Sequence, residues 1–138
     1  MTFNKTGEGD LKTLLQSMKP ELQSDVFVFC SLPRGQQLPA NVIPVYIFHE
    51  REGTTFVVRK AEAERATLSY QFPSRQITLM AYSALDAVGF LAAITTFLAE
   101  AGISVNPVSA FYHDHLFVPE ERANEAMRLL GALTSSKP

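Results

Sequence analysis

The segment TLMAYSALDAVGFLAAITTFLAEAGISVNPVSAFYHDHLFVP, residues 78–119, decides the fold. It opens as a strand: Ile77, Leu79 and Ala81 alternate with Thr78, Met80 and Tyr82, the period that puts successive side chains on opposite faces. A helix follows over 86–101. Leu91, Ile94 and Leu98 recur on one face, and Phe90 and Phe97 widen that face to about half the circumference. Asp86 stands where a helix cap belongs and Gly102 where a helix stops. A second strand over 103–112 turns back through Tyr112, His113, Asp114 and His115 into a third over 115–118. Strand, helix, strand, strand is the core of a split β-α-β, or ferredoxin-like, unit.

Working outward, Pro119 opens a last helix whose Ala123, Ala126, Met127 and Leu130 form its buried face. Upstream, Leu11, Leu14, Leu15 and Met18 mark a short helix capped at Asp10 and ended by Pro20. Strands follow over 26–32, 42–50 and 54–59, with a loop over 33–40, a short helix over 60–66 and a brief strand over 68–72 that Pro73 ends. The halves repeat each other. Val42-Ile43-Pro44-Val45 and Phe48 match Val105-Asn106-Pro107-Val108 and Phe111, and Phe56-Val57-Val58 matches Leu116-Phe117-Val118. The expected fold is therefore α+β: two ferredoxin-like βαββαβ half-units in tandem, residues 1–73 and 74–138, the first without its long helix. A 4-1-3-2 strand order puts the second strand of each half at an edge, where Pro44 and Pro107 are tolerated. The second half has no fourth strand of its own. The segment 68–72 or a partner chain would fill that slot, and the halves are expected to cover each other's remaining apolar face, with an exchange of edge strands as one way to do so.

The residues Asp86, Gly89, Leu91, Ile94, Leu98, Gly102 and Ile103 resemble the D-x-P-G-x-L-x-x-I...L...G-I pattern of ACT domains, with Val88 where the usual proline stands. With the Tyr112–Pro119 run, the chain is similar to a bacterial family of small tandem ACT-like proteins. That resemblance implies a non-catalytic, small-ligand-binding regulatory protein. It also implies an amino acid as the usual ligand and a homodimer, since such modules often build their site between two units.

Topology brings the turn after residue 82 and the hairpin tip to one end of the second half's sheet. The expected ligand-binding residues are Ser83, Asp86, Val88, Gly89, Phe90, Tyr112, His113, Asp114 and His115. Free N–H groups around residues 88–90 suit a carboxylate. Gly89 permits close approach, and Asp86 or Asp114 would receive an ammonium group. The loop 31–35 of the first copy is a further contributor. Simpler roles compete: Asp86 as a cap, Gly89 as a packing residue, Asp114 as a turn residue.

Other classes find less support. His113 and His115 face one side of an extended strand, but a zinc site needs three or four ligands and the remaining histidine is His49. No metal or cofactor is expected. Ser83, His115 and Asp86 lack a nucleophile elbow, so no catalytic residue is assigned. The net charge of -2 and pI near 5.9 carry no basic stripe for nucleic acid. The apolar run 87–98 is too short to span a bilayer. Lone Cys30 excludes an internal disulfide, and the polar first residues lack a signal-peptide core, so a cytoplasmic location is expected. An assembly module without ligand, or a small enzyme at the same cleft, are the competing functional readings.

Overall fold

A computed structural model of the chain describes residues 8–81 and 88–134. The elements are α1 (Glu8–Ser17), β1 (Lys19–Leu32), β2 (Tyr46–His49), β3 (Thr54–Arg59), α2 (Lys60–Arg65), β4 (Gln71–Met80), α3 (Phe90–Glu100), β5 (Asn106–Ser109), β6 (Asp114–Pro119) and α4 (Ala123–Thr134). The strands form one six-stranded antiparallel sheet in the order β2-β3-β1-β4-β6-β5. The expected α+β architecture of two ferredoxin-like units is thus present, with β2 and β5, the second strands, at the two edges.

The two long central strands belong to both units. Residues 19–22 of β1 pair with β4 at Ile77, Thr78, Leu79 and Met80, and supply the fourth strand of the second unit. Residues 71–75 of β4 pair with β1 at Val26, Phe27 and Phe29, and supply the fourth strand of the first. Each unit therefore reads 4-1-3-2, completed by a piece of the other. The register shifts between Leu22 and Val26, and again between Phe27 and Phe29, where Phe72 adopts a positive φ of 59°. These bulges let a strand bend as it passes from one unit to the next.

Several expectations change here. Pro20 and Pro73 do not end elements; both lie inside strands. Each stands where its strand has a neighbour on one side only, so the missing N–H costs no ladder bond. The halves do not cover each other face to face. They join edge to edge, and every helix packs on the same side of the sheet. Val28 and Cys30 belong to that side, packed with Ala63 of α2, while Phe27 and Phe29 look to the open side.

The second unit holds the larger core. Ile77, Leu79, Leu116 and Val118 meet Phe90, Ile94 and Leu98 of α3 and Ala126 and Leu130 of α4, all buried. α1 adds Leu11, Leu14 and Leu15 to this core, not to the first unit's, because it leads into the part of β1 that pairs with β4. Gly102, at φ 77°, ends α3: Ile103 N–H donates back to the Leu98 carbonyl at 3.1 Å. Arg122 then donates to the open carbonyls of Ala101 and Gly102 at 3.1 and 3.3 Å and pairs with Glu125 at 2.7 Å. That pairing holds the Glu125 carboxyl below the usual range.

The first unit has no helix between β1 and β2; Leu38 and Val42 of the loop fill in. Its hairpin seats tightly. A Cβ on Gly53 would stand 2.7 Å from the Leu32 carbonyl oxygen and 3.3 Å from Ser31 Oγ. Gly53→Ala is expected to cost about 1–3 kcal/mol through backbone displacement. Urea unfolding should show a lower midpoint with an unchanged slope.

Candidate functional site

The site expected at one end of the second unit is organised by register. Leu79 of β4 stands opposite Asp114 of β6, Ser109 of β5 stands opposite Asp114 on the other side, and Lys19 of β1 stands opposite Met80. The end of β4, the start of β1 and the β5–β6 tip therefore share one edge of the sheet. The tip closes through Ala110 N–H donating to the His113 carbonyl at 3.0 Å, and Ser109 Oγ donates to Asp114 Oδ1 at 2.6 Å.

Each expected residue has a definite place, save Ser83 and Asp86, which lie outside the described residues. Val88 is 91% exposed. Gly89 takes a left-handed φ of 95° at the entry to α3, and its carbonyl accepts from Ala93 N–H at 2.9 Å. A side chain there would be strained. Phe90 contributes only its backbone to such a site, since its ring is 3% exposed within the second core. Tyr112 is 77% exposed and stacks edge-on against Phe111 at 4.9 Å.

His113 and His115 do lie on one side, with rings 6.4 Å apart at 88°. The His113 Nδ1 is buried and, among the described residues, has no hydrogen-bond partner. His115 is tied down: Thr78 Oγ1 lies 3.0 Å and Gln76 Nε2 3.1 Å from its Nδ1. Gln23 Nε2 in turn donates to Thr78 Oγ1 at 3.3 Å. An amide N–H can only donate, so Nδ1 is the accepting nitrogen and the proton sits on Nε2. Burial, and next the His113 imidazole, hold the His115 pKa below the ordinary histidine value, against a smaller opposite pull from Asp114.

Gln23, Gln76 and Thr78 were not singled out from the sequence. The only signal available was Thr78 as a polar residue between Ile77 and Leu79; Gln23 and Gln76, beside Ser24 and Arg75, carry no such mark. Thr78 and Gln76 are 6% and 9% exposed, which a solvated strand face would not produce.

Two expectations are not met in space. The loop at 31–35 cannot complete this site within one chain. Lys19 and Leu32 are the two ends of β1, a fourteen-residue strand that holds them about 40 Å apart. Nor, among the described residues, does Gly89 serve close packing of α3 on the sheet: a Cβ there would stand 3.5 Å from Leu11 of α1, an ordinary contact. Among the described residues no three His, Cys, Asp or Glu side chains gather as a metal site would need. An open apolar groove of about 370 Å³ lies on the helix side, lined by Leu15, Phe97 and Leu133 among others. It offers few polar groups to orient a ligand.

Models of the ACT domain match residues 6–75 and residues 71–132. The chain belongs to the ACT-domain family. The two matches overlap at 71–75, the piece of β4 that completes the first ACT unit. A solved structure from Vibrio cholerae, described as a protein of unknown function and possible transport protein, is similar at 40% identity. The match covers 94% of this chain and 99% of that one, with a TM-score of 0.85. A protein from Agrobacterium tumefaciens shares the fold at 18% identity, over 85% and 89% of the two chains, with a TM-score of 0.70. So does the ligand-free regulatory subunit of aspartate kinase from Thermus thermophilus, at 13% identity over 83% and 95%, with a TM-score of 0.63. No curated protein matches the chain. No helix among the described residues is long and apolar enough to cross a membrane.

Proposed function

We propose that this tandem ACT protein is a non-catalytic sensor that binds an amino acid at the hairpin end of its second unit. What supports the reading is the left-handed φ of 95° at Gly89, where α3 opens with its first N–H groups beside an exposed Val88, on the path out of β4, whose last residues lie at the sheet end that also holds the β5–β6 tip. Those N–H groups suit a carboxylate. Asp86, Ser83, Tyr112, His113, Asp114 and His115 would surround the rest of the ligand. The reading takes the modules as residues 1–73 and 74–138, each borrowing a strand segment from the other.

Catalysis finds no support in Cys30, whose burial within the first core pushes its thiol pKa up and keeps it protonated. A cytoplasmic location belongs to the same reading. So does a homodimer. β2 leaves one side of the sheet unpaired, and Ile43, Val45, Ile47 and Phe48 beside it are 46–65% exposed, more apolar surface than an edge strand ordinarily leaves to water. A second β2 across a two-fold axis would pair with it. Sedimentation should give a dimer that Ile47→Lys dissociates; a wild-type monomer at micromolar concentration would remove this part.

The ligand reading is tested by a thermal-shift screen of the twenty amino acids. A ligand at 100 times its Kd stabilises by about 2.7 kcal/mol, a shift of several degrees in a chain of this size. The shift should come from one or a few amino acids and vanish in Asp86→Ala. A flat response to all twenty at millimolar concentration would leave an assembly module as the better account.

A further inference from the structure

The two ACT units hold their hairpins onto the sheet by different means. Register makes the comparison direct. Thr78 faces His115 in the second unit where Ser31 faces Thr55 in the first, and Gln76 faces Phe117 where Phe29 faces Val57. In the first unit Gly53 seats by backbone contact against Leu32, Glu50 N–H donates to the Gly53 carbonyl at 2.9 Å, and Thr55 Oγ1 bonds within the hairpin to Glu50. Phe29 at the neighbouring position packs in an aromatic cluster. His49, the first hairpin's own imidazole, is exposed. In the second unit the same place is taken by Gln23, Thr78, Gln76 and His115, a polar chain running across three strands. The first unit shows that the fold does not need this chain, and buried polar groups are costlier than apolar ones.

We propose that a proton on His115 releases the second hairpin from the sheet, so that the site at its tip is regulated by pH while the first hairpin is not. The loosening stands on the geometry alone; its effect on ligand affinity rests on the function proposed above. Nδ1 accepts from the Gln76 amide, with the Thr78 hydroxyl also in reach, and a protonated Nδ1 would face the Gln76 amide nitrogen donor to donor. The cation would also sit half-buried beside the His113 imidazole.

The charged groups around it do not compensate. Lys19 and Glu21 stand on the same face of β1 beyond β4, one of each sign. Val108 is the register partner on β5, and Asp114 is engaged by Ser109. The sign follows: the imidazole pKa is lowered in the closed state, so the open state binds more protons. Closure is complete above the ordinary histidine value near 6.5 and weakens as pH falls below it.

Amide hydrogen exchange of the full chain, corrected for its intrinsic pH dependence, tests this at pH 7.5, 6.5 and 5.5. Protection across residues 109–116 should fall by up to about tenfold per pH unit below 6.5, and protection across residues 50–56 should not. His115→Gln, which keeps hydrogen-bonding capacity without a titratable group, should give a flat profile. Parallel loss in both hairpins, or an unchanged response in His115→Gln, overturns the proposal. Should His115→Gln fail to fold, the wild-type His115 ring is followed by NMR; a titration with no accompanying change at the Ala110 and His113 amides overturns it equally. If an amino acid binds with pH-independent affinity while the hairpin loosens, the regulatory link is wrong and the ligand reading stands. If none binds at any pH, the ligand reading is wrong and the proton switch stands.

Discussion

Cut between residues 73 and 74, the chain loses the folded state of both halves. The piece 74–138 keeps α3, α4 and most of its core but loses residues 19–22 of β1, which pair with Ile77 to Met80. It also loses Met18, Leu11, Leu14, Leu15 and Leu22, which pack on Ile77, Ile94 and their neighbours. The piece 1–73 keeps β1 to β3 and loses Ser74 and Arg75, whose side chains tie β4 to β1. Ser74 Oγ donates to the Phe27 carbonyl at 3.1 Å and Arg75 to the Gln23 carbonyl at 2.6 Å. Each piece exposes a strand side and an apolar face whose burial outweighs the about 5–15 kcal/mol by which a domain is stable at all. Circular dichroism and NMR of either piece should show no cooperative unfolding, and equimolar mixing should restore it. Cooperative melting of 74–138 alone would mean that the borrowed strand segment is dispensable.

Phe117→Ala should destabilise the whole chain by about 3–5 kcal/mol. Phe117 is 2% exposed although it lies on the side of the sheet without helices. Its cover comes from Phe27 and Phe29 of β1, edge to face at 5.9 and 5.8 Å, with Phe72 a further 5.7 Å from Phe29. Edge-to-face pairs add about 0.5–1.5 kcal/mol each beyond their burial. Because Phe117 belongs to the second unit, Phe27 and Phe29 to the first, and Phe72 to the shared β4, the cluster joins the two. Urea denaturation should remain a single transition at a markedly lower midpoint. Phe111→Ala, at a ring 75% exposed, should change stability little. A loss below about 1 kcal/mol in Phe117→Ala would show that the units are held together by the strands alone.

The place of the second hairpin tip was legible. Tyr112, His113, Asp114 and His115 stand out because polar and ring-bearing residues interrupt an apolar stretch, and topology brings them to the sheet end where β4 stops. Gln23, Gln76 and Thr78 were not legible. Their partnership with His115 is a matter of register across three strands, and register is decided by which apolar sets are buried together. The loop at 31–35 was misplaced for the same reason: antiparallel β1 and β4 send the two units' hairpins to opposite ends of the sheet.

By itself the sequence determined the repeated strand and helix pattern, the edge positions of the second strands, and α3 with its stop at Gly102. These follow from local periodicity and local backbone preference, which do not depend on a distant partner. Only the tertiary structure decided the ownership of strands. Pro20 and Pro73 carry the same local signal whether they end an element or occupy a strand segment with one neighbour. The difference lies in whether a second strand reaches that side, and that depends on Leu22 finding Ile77 and Leu79 some fifty residues away. α1 belongs to the second unit because the strand segment it leads into pairs with β4 there.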